Sequence, residues 1–503
     1  MPIAPVPAVR IDAAVPTPAR RGGRYVLYWM TAARRTRHNH ALQRALAWCE
    51  ELGKPLVVLE ALRVDYPYAC DRFHRFVVDG MADQAAAFER AGIRYLSFVE
   101  RTAGEGKGLL ETLATEAAVV IGDDYPTFFL PRMRARATEQ LAALGVRFEV
   151  VDSNGLLPLR ASPQAFGFAH QFRRFVQKTL PAHLPGLPLA DPLASGLGRG
   201  EVVLPEGVEA RFGLRSPDEL ARPSWIASLP LDHGVGELSE RGGATSGRAR
   251  LASFVTRKLA RYHEDRSHPD DEVASGLSPW LHFGHVSSFE ILAAVADRTG
   301  WSPEKIAAKP TGRREGWWNA SDAADAFLDE LVTWRELGFA RCQHTDDYAR
   351  YEGLPAWARQ SLEEHVADRR PALRPVEALE RGETDDVVWN AAMRELRETG
   401  RIHNYVRMLW GKKTLEWTAH PREAFEALIH LNDKYAIDGR DPNTYTNVGW
   451  VFGAYDRPWG PERPIFGKVR YMSSAATLRK LRIESWLARW SEGKGRTLAL
   501  GLE

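Results

Sequence analysis

The chain has 503 residues, 44% of them hydrophobic and 26% charged, with a net charge of +2. These values exclude long intrinsic disorder over most of the chain and exclude a polycation, so a nucleic-acid surface has to be a local patch. No apolar run approaches the roughly 18 residues of a membrane span. Sixteen residues are tryptophan, and thirteen of them lie beyond residue 250. Something in the second half needs indole rings. Cys49, Cys70 and Cys342 are too few and too scattered for a disulfide framework, a zinc site or an iron–sulfur cluster. The sequence therefore predicts no metal and a reducing, cytoplasmic setting, with neither membrane nor protein partner and a monomeric chain.

Residues 1–23 are rich in Ala and Pro, lack the apolar core of a signal peptide and read as a flexible leader. Residues 24–160 alternate strand and helix. Apolar, β-branched runs at 25–29, 55–59, 93–99, 117–121 and 146–151 predict buried strands, and amphipathic spacing at 41–52, 76–91 and 133–144 predicts helices between them. This alternation predicts a parallel, doubly wound α/β domain. No dinucleotide glycine fingerprint follows the first strand, where Trp29-Met-Thr-Ala-Ala33 stands. The stretch Gly104-Glu-Gly-Lys-Gly108 has no Ser or Thr after its lysine and reads as a surface turn. Recurrent Pro and Gly over 161–247 predict a long inter-domain linker. From 248 to 503 helical spacing dominates, at 248–262, 286–298, 323–338, 386–399 and 402–417, and predicts an all-helical domain.

Four stretches of that second half carry chemistry. In 384–417, Thr384 or Asp385 can cap a helix that stops at Gly400. Trp410 and Trp417 share a helix face about 10.5 Å apart along the axis, too far for ring contact. Trp389, from the preceding helix, is the candidate to bridge them. Each ring alone is explained by packing; three beside Lys412-Lys413 fit an electron-hopping chain. The stretch 440–482 holds eight Lys/Arg against three acids, interleaved with Trp450 and Trp459. A solvated basic loop has this composition, and so does a surface for phosphate contacts and base stacking. Glu330 and Trp334 are four residues apart, so on a helix the indole desolvates the carboxyl, which favours a neutral proton donor. Ser275-Gly-Leu-Ser-Pro-Trp-Leu-His-Phe-Gly-His-Val-Ser287 is a small-residue turn running into a helix, suited to a diphosphate.

These stretches, in this order behind an α/β domain, resemble the photolyase/cryptochrome flavoproteins, and within them the class II cyclobutane pyrimidine dimer photolyases. Leu431-Asn-Asp-Lys-Tyr-Ala-Ile-Asp-Gly-Arg-Asp-Pro-Asn443 and Phe466-Gly-Lys-Val-Arg-Tyr-Met472 look like hallmarks of that class. The resemblance spans roughly 24–480 and implies a helical domain that binds FAD and UV-damaged DNA. Tyr262 and Ser275, Gly276, Leu277 and Ser278 would hold the FAD diphosphate, with Arg335 along the cofactor. Asn432 would face flavin N5, and Asp438 and Asp441 would line the same cavity. Trp410 would be the flavin-proximal member of the electron chain, Trp389 the middle and Trp417 the solvent-side end. Trp334 and Trp450 would clamp a flipped dimer above Met408, and Glu330 would hydrogen-bond its carbonyl. Arg457, Trp459 and Arg470 would support the opened duplex. Asn404 departs from the family pattern, where Gly is common, and would place an amide near the flavin. The segment Ala33-Arg-Arg-Thr-Arg-His-Asn-His40 matches loosely and leaves the identity of any second, antenna chromophore unspecified. The implied activity is light-driven splitting of pyrimidine dimers; the alternative is a cryptochrome-like blue-light photosensor. The Glu330/Trp334/Trp450 set and the basic stretch favour repair.

Overall fold

Six strands form one sheet in the computed structural model, which describes residues 2–491. They are β1 (Ile11–Val15), β2 (Tyr25–Met30), β3 (Leu56–Leu62), β4 (Arg94–Val99), β5 (Ala117–Asp123) and β6 (Phe148–Val151), in the order β1-β6-β5-β2-β3-β4. The pairs β2/β3, β3/β4, β2/β5 and β5/β6 are parallel. Helices α1 (His40–Leu52), α2 (Asp71–Arg90), α3 (Leu109–Ala114) and α4 (Leu130–Ala143) lie between them in sequence. Alternate side chains feed two cores. Tyr25, Leu27, Val57, Leu59 and Phe148 pack with Leu113 and Leu141 on one side; Val26, Tyr28, Val58 and Ile121 pack with Leu42, Leu46 and Phe88 on the other. Burial on both faces explains why these strands read as continuous apolar runs.

Two expectations are corrected. The leader is not flexible where it is described: β1 pairs antiparallel with β6, Ile11 opposite Val151, so the sheet is mixed rather than wholly parallel. The pairing covers what would otherwise be an open β6 edge. Just before it, Arg10 is sealed from solvent, with Nη1 3.2 Å from Asp152 Oδ2 and Nη2 donating to the Gly155 and Leu156 carbonyls. Nor is 161–247 a structureless linker. It contains the helix Ala169–Thr179 and short turns of helix such as Val208–Phe212, whose Val208 and Phe212 join the first core. Arg173 of the longer helix pairs with Asp329 at 2.6 Å.

The chain divides into two compact units that do not follow the expected boundary at 247/248. One comprises residues 2–263, 273–349 and 437–447; the other comprises 264–272, 350–436 and 448–491. Beyond residue 240 the described structure is helical, as expected. Among the described residues no helix is long and apolar enough to cross a membrane.

The crevice where strand order reverses, between the ends of β2 and β5, is closed from within. Asp123 Oδ2 accepts hydrogen bonds from the backbone N–H groups of Thr31, Ala32 and Ala33 at 2.8 to 2.9 Å, and Oδ1 accepts from Tyr28 Oη. Three N–H groups in a row are what a phosphate-binding turn offers. Here the chain's own carboxylate takes them.

Replacing Arg10 by Met leaves the Asp152 carboxylate buried without its cation. The Arg10→Met variant is expected to lose about 3 kcal/mol or more of unfolding free energy, read by urea denaturation. A loss below about 1 kcal/mol would mean that the leader is not fixed by this pair.

Candidate active site

The first unit gathers Tyr262, Ser275 to Ser278, Glu330, Trp334, Arg335, Asp438 and Asp441. Ser275 Oγ accepts from Leu277 N at 3.4 Å across Gly276, whose φ of +65° suits glycine. Leu277 is buried, and Ser278 is exposed at the start of the short helix Ser278–His282. Tyr262 is buried edge-on to Phe254 and Phe327, at 5.8 and 5.4 Å. Glu330 and Trp334 are both half-buried. They lie in a widened turn, Asp329–Trp334, where Arg335 N–H reaches back five residues to the Glu330 carbonyl. The plain helix expected over 323–338 is therefore interrupted, between Asp322–Leu328 and Arg335–His344.

Arg335 is buried, donates from Nη1 to the Asn154 carbonyl at 2.9 Å and lies 4.4 Å from the Phe339 ring centre. Among the described residues no carboxylate comes within ion-pair distance of it, so its buried charge suits an anion. Asp438 is half-buried. Asp441 is buried and accepts from Tyr125 Oη at 2.8 Å and from Asn443 N and Nδ2; His282 Nδ1 lies 3.3 Å away. Burial pushes the Asp441 carboxyl up, but the His282 contact, the Arg335 charge and Asn443 N–H outweigh it and hold it ionised. Glu336, which sequence reasoning missed, accepts from the backbone of Leu156 and Leu157, and burial raises it to about 7. Gly155 makes room for it, since a Cβ there would stand 2.7 Å from Glu336 Cδ.

The second unit holds the indole column. Asp386, rather than Thr384 or Asp385, caps the helix Val387–Thr399 by accepting from Val388 N and Trp389 N; Thr384 Oγ1 is bonded to Asn390 instead. Gly400, at φ +70°, ends the helix as expected. Trp389 has no exposed surface. Its ring stacks on Trp410 at 6.1 Å between centroids and 18° between planes, and meets Trp417 edge-on at 5.3 Å. Its Nε1 donates to the Trp410 carbonyl at 2.8 Å. Trp410 Nε1 is buried with no hydrogen-bond partner among the described residues. Trp417 is only 3% exposed, so it is not the solvent-facing end expected; Lys413 Nζ lies over it at 5.4 Å. Lys413 is itself held by Glu416 and, at 3.5 Å, Asp386.

Asn404 is exposed at the first position of the helix Asn404–Thr414, and Met408 of the same helix is half-buried. Asn432 is buried in the helix Pro421–Tyr435. The structure also brings Trp450, Arg470, Trp459 and Arg457 into a ladder. Arg470 lies 5.7 Å from the Trp450 ring and 4.1 Å from that of Trp459, and Arg457 stands 4.5 Å from Trp459. Asp456 fixes it, pairing with Arg470 at 3.0 Å and accepting from Trp459 Nε1 at 3.1 Å. The basic stretch is less free than its composition suggests. Lys468 pairs with Glu462 and Arg482 with Asp265 and Asp271, while Arg440 of the first unit is buried against Phe73. Among the described residues, Arg457, Arg463, Arg479 and Lys480 have no carboxylate in ion-pair reach.

A six-stranded, mostly parallel sheet, a helical remainder and a stacked indole column define a class: the photolyase–cryptochrome fold. The chain superposes on a bacterial class III photolyase from Agrobacterium tumefaciens with a TM-score of 0.68 at 18% identity, covering 93% of this chain and 86% of that one. On a Synechocystis cryptochrome the TM-score is 0.64 at 16% identity, covering 93% and 88%. In sequence, a family model described as DNA photolyase matches residues 26–193. A deoxyribodipyrimidine photo-lyase of Methanothermobacter thermautotrophicus is 34% identical over 468 residues, 93% of this chain and 94% of that protein. The chain belongs to the DNA photolyase family.

Asp386 caps the helix that carries Trp389 and also receives Ser474 Oγ and Lys413. The Asp386→Ala variant is expected to lose about 1 to 2 kcal/mol in thermal or denaturant unfolding. An unchanged midpoint would show that the column does not depend on this cap.

Proposed function

We propose that this protein is a light-driven DNA-repair enzyme of the class II type, which splits cyclobutane pyrimidine dimers in UV-damaged DNA with FAD as cofactor. The observation that carries the reading is the ladder of Trp450, Arg470 and Trp459, an aromatic and cationic surface beside the indole column. The residues available in the first unit fit FAD. Arg335 is a buried guanidinium with, among the described residues, no carboxylate within ion-pair distance, and the Ser275–Ser278 turn offers hydroxyl and backbone groups. When bound and reduced, FAD supplies on excitation the electron that opens the cyclobutane ring, and takes it back afterwards.

Tyr262, Ser275, Gly276, Leu277, Ser278, Arg335, Asn404, Asn432, Asp438 and Asp441 hold and orient the cofactor. A dimer inside a duplex has to be extruded, which costs a few kcal/mol and less at a damaged pair. Trp334 and Trp450 receive it over Met408, offering ring faces in place of the lost stacking. Arg457, Trp459 and Arg470 support the opened strand. Glu330 donates a hydrogen bond to a base carbonyl and offsets the charge that builds there. Trp410, Trp389 and Trp417 pass electrons inward to keep the cofactor reduced. A blue-light photosensor, as the cryptochrome neighbour would suggest, uses the same column; the Trp450–Arg470–Trp459 ladder favours repair.

Two variants test the assignments. The Trp410→Phe variant is expected to lose light-driven reduction of bound flavin, followed by absorbance, yet to repair at the wild-type yield once reduced chemically. Unchanged photoreduction would remove Trp410 from the path. The Glu330→Ala variant is expected to lower repair yield per absorbed photon about tenfold or more while leaving affinity for damaged DNA within about twofold. Equal losses in both would assign Glu330 a structural role.

A further inference from the structure

Lys412 is a charged side chain in an unusual place. It follows Trp410 in the helix Asn404–Thr414 and has none of its surface exposed. A compact, strongly hydrated ammonium is almost never sealed away without a partner. Its position depends on Gly411. A Cβ at that residue would stand 2.6 Å from Val451 Cγ2, so glycine lets this helix approach Val451 closely. Across the gap, Lys412 Nζ donates to the Val451 carbonyl, at the C-terminal end of the helix Pro442–Val451, where backbone dipoles favour a cation. The same Nζ lies 4.9 Å from the centre of the Trp450 ring.

Few charges act on it. The run Val448–Val451 has no ionisable residue and brings only the carbonyl and the ring. From the loop that follows, Asp456 and Arg470 act on it. Its neighbour Lys413 is engaged by Glu416 and Asp386. Burial lowers the Lys412 ammonium to about 7; Asp456 opposes the fall and Arg470 adds to it.

We propose that Lys412 is a positioning residue for Trp450: its ammonium, anchored on the Val451 carbonyl, lies over the indole and fixes the ring so that it can stack on an extruded base. The identity of that base rests on the repair reading above. The ammonium–indole contact also ties the helix carrying Trp410 to the element that meets substrate. A neutral lysine keeps the carbonyl contact but loses the attraction to the ring. Selectivity for damaged DNA therefore depends on the protonation of Lys412.

The test compares binding of a duplex containing one thymine dimer with binding of the same duplex undamaged, from pH 6.0 to 8.5. The ratio of the two affinities cancels phosphate contacts common to both. In the wild type the ratio is expected to fall as pH rises through about 7. In Lys412→Met it is expected to be about tenfold lower at pH 6.0 and to have lost this slope. Lys412→Arg, charged throughout, restores the ratio without the slope. A Lys412→Met protein with the wild-type ratio and slope would overturn the proposal. A wild type with no preference for the dimer at any pH would instead overturn the repair reading.

Stability gives a second readout that does not need substrate. The folded pKa lies below the unfolded value of 10.5. The buried charge therefore opposes folding in full below about pH 7, and its cost fades as pH rises towards 10.5. Lys412→Met should gain more unfolding free energy over wild type at pH 6.0 than at pH 9.5. Equal gains at both would mean that Lys412 keeps its ordinary pKa in the fold and stays charged throughout this range, which would overturn the proposed dependence of selectivity on its protonation.

Discussion

Trp389 has no exposed surface, and its ring touches Trp410 on one side and Trp417 on the other. Much of the second unit follows from keeping it there. The helix that carries it is fixed at one end by the Asp386 cap and at the other by the left-handed turn at Gly400. Its indole N–H is spent on the Trp410 carbonyl, which locks the ring to the backbone of the next helix. That helix in turn presses on Val451 through the missing side chain of Gly411. Charge is distributed unevenly around the rings. Lys412 over Trp450 and Arg457 over Trp459 have, among the described residues, no carboxylate in ion-pair reach, whereas Lys413 over Trp417 is matched by Glu416 and Asp386. A nearby uncompensated cation disfavours removing an electron from an indole. The arrangement thus distinguishes the Trp417 ring from those of Trp450 and Trp459 by the charge beside it.

The first unit is governed by a different economy of polar groups. At the point where its strand order reverses, a nest of backbone N–H groups is filled by Asp123, and nearby carboxylates such as Asp152 and Glu336 are bound by backbone or by Arg10. Arg335 is buried with one carbonyl contact and, among the described residues, no carboxylate within ion-pair distance, although its charge acts on Asp441. Its buried charge is available to an anionic ligand.

The central strands were legible because each is buried on two faces, so that five apolar runs mark them within two or three residues. Antiparallel β1 was not. Ile-Asp-Ala-Ala-Val is a weak strand pattern, and it pairs only because β6 offers an edge, a tertiary fact. The 161–247 stretch was read as linker because Pro and Gly break periodicity, yet short helical turns with single anchors such as Phe212 pack without any periodicity. In the site, helix spacing placed Trp410 and Trp417 on one face and made Trp389 a candidate to bridge them, while the order of the three-ring chain came from the family resemblance. The widened turn at Asp329–Trp334, the covering of Trp417 and the burial of Arg440 were not, since each is decided by neighbours distant in sequence. Lys412 is the sharpest case. Lys412-Lys413 reads as a basic corner, while the fold seals the first lysine and pairs the second.

Membership of the DNA photolyase family is consistent with both repair and sensing, because the fold and the indole column serve either. Repair further requires that a base be received beside a positively charged, aromatic surface, and Trp450, Arg470, Trp459 and Arg457 supply one. The most direct measurement is the absorbance at 260 nm of thymine-dimer-containing oligonucleotide mixed with FAD-loaded, reduced protein under blue light. Light-dependent recovery of absorbance, absent in the dark, is the expected result. A flat trace from protein that binds the oligonucleotide and retains reduced flavin would contradict light-driven repair.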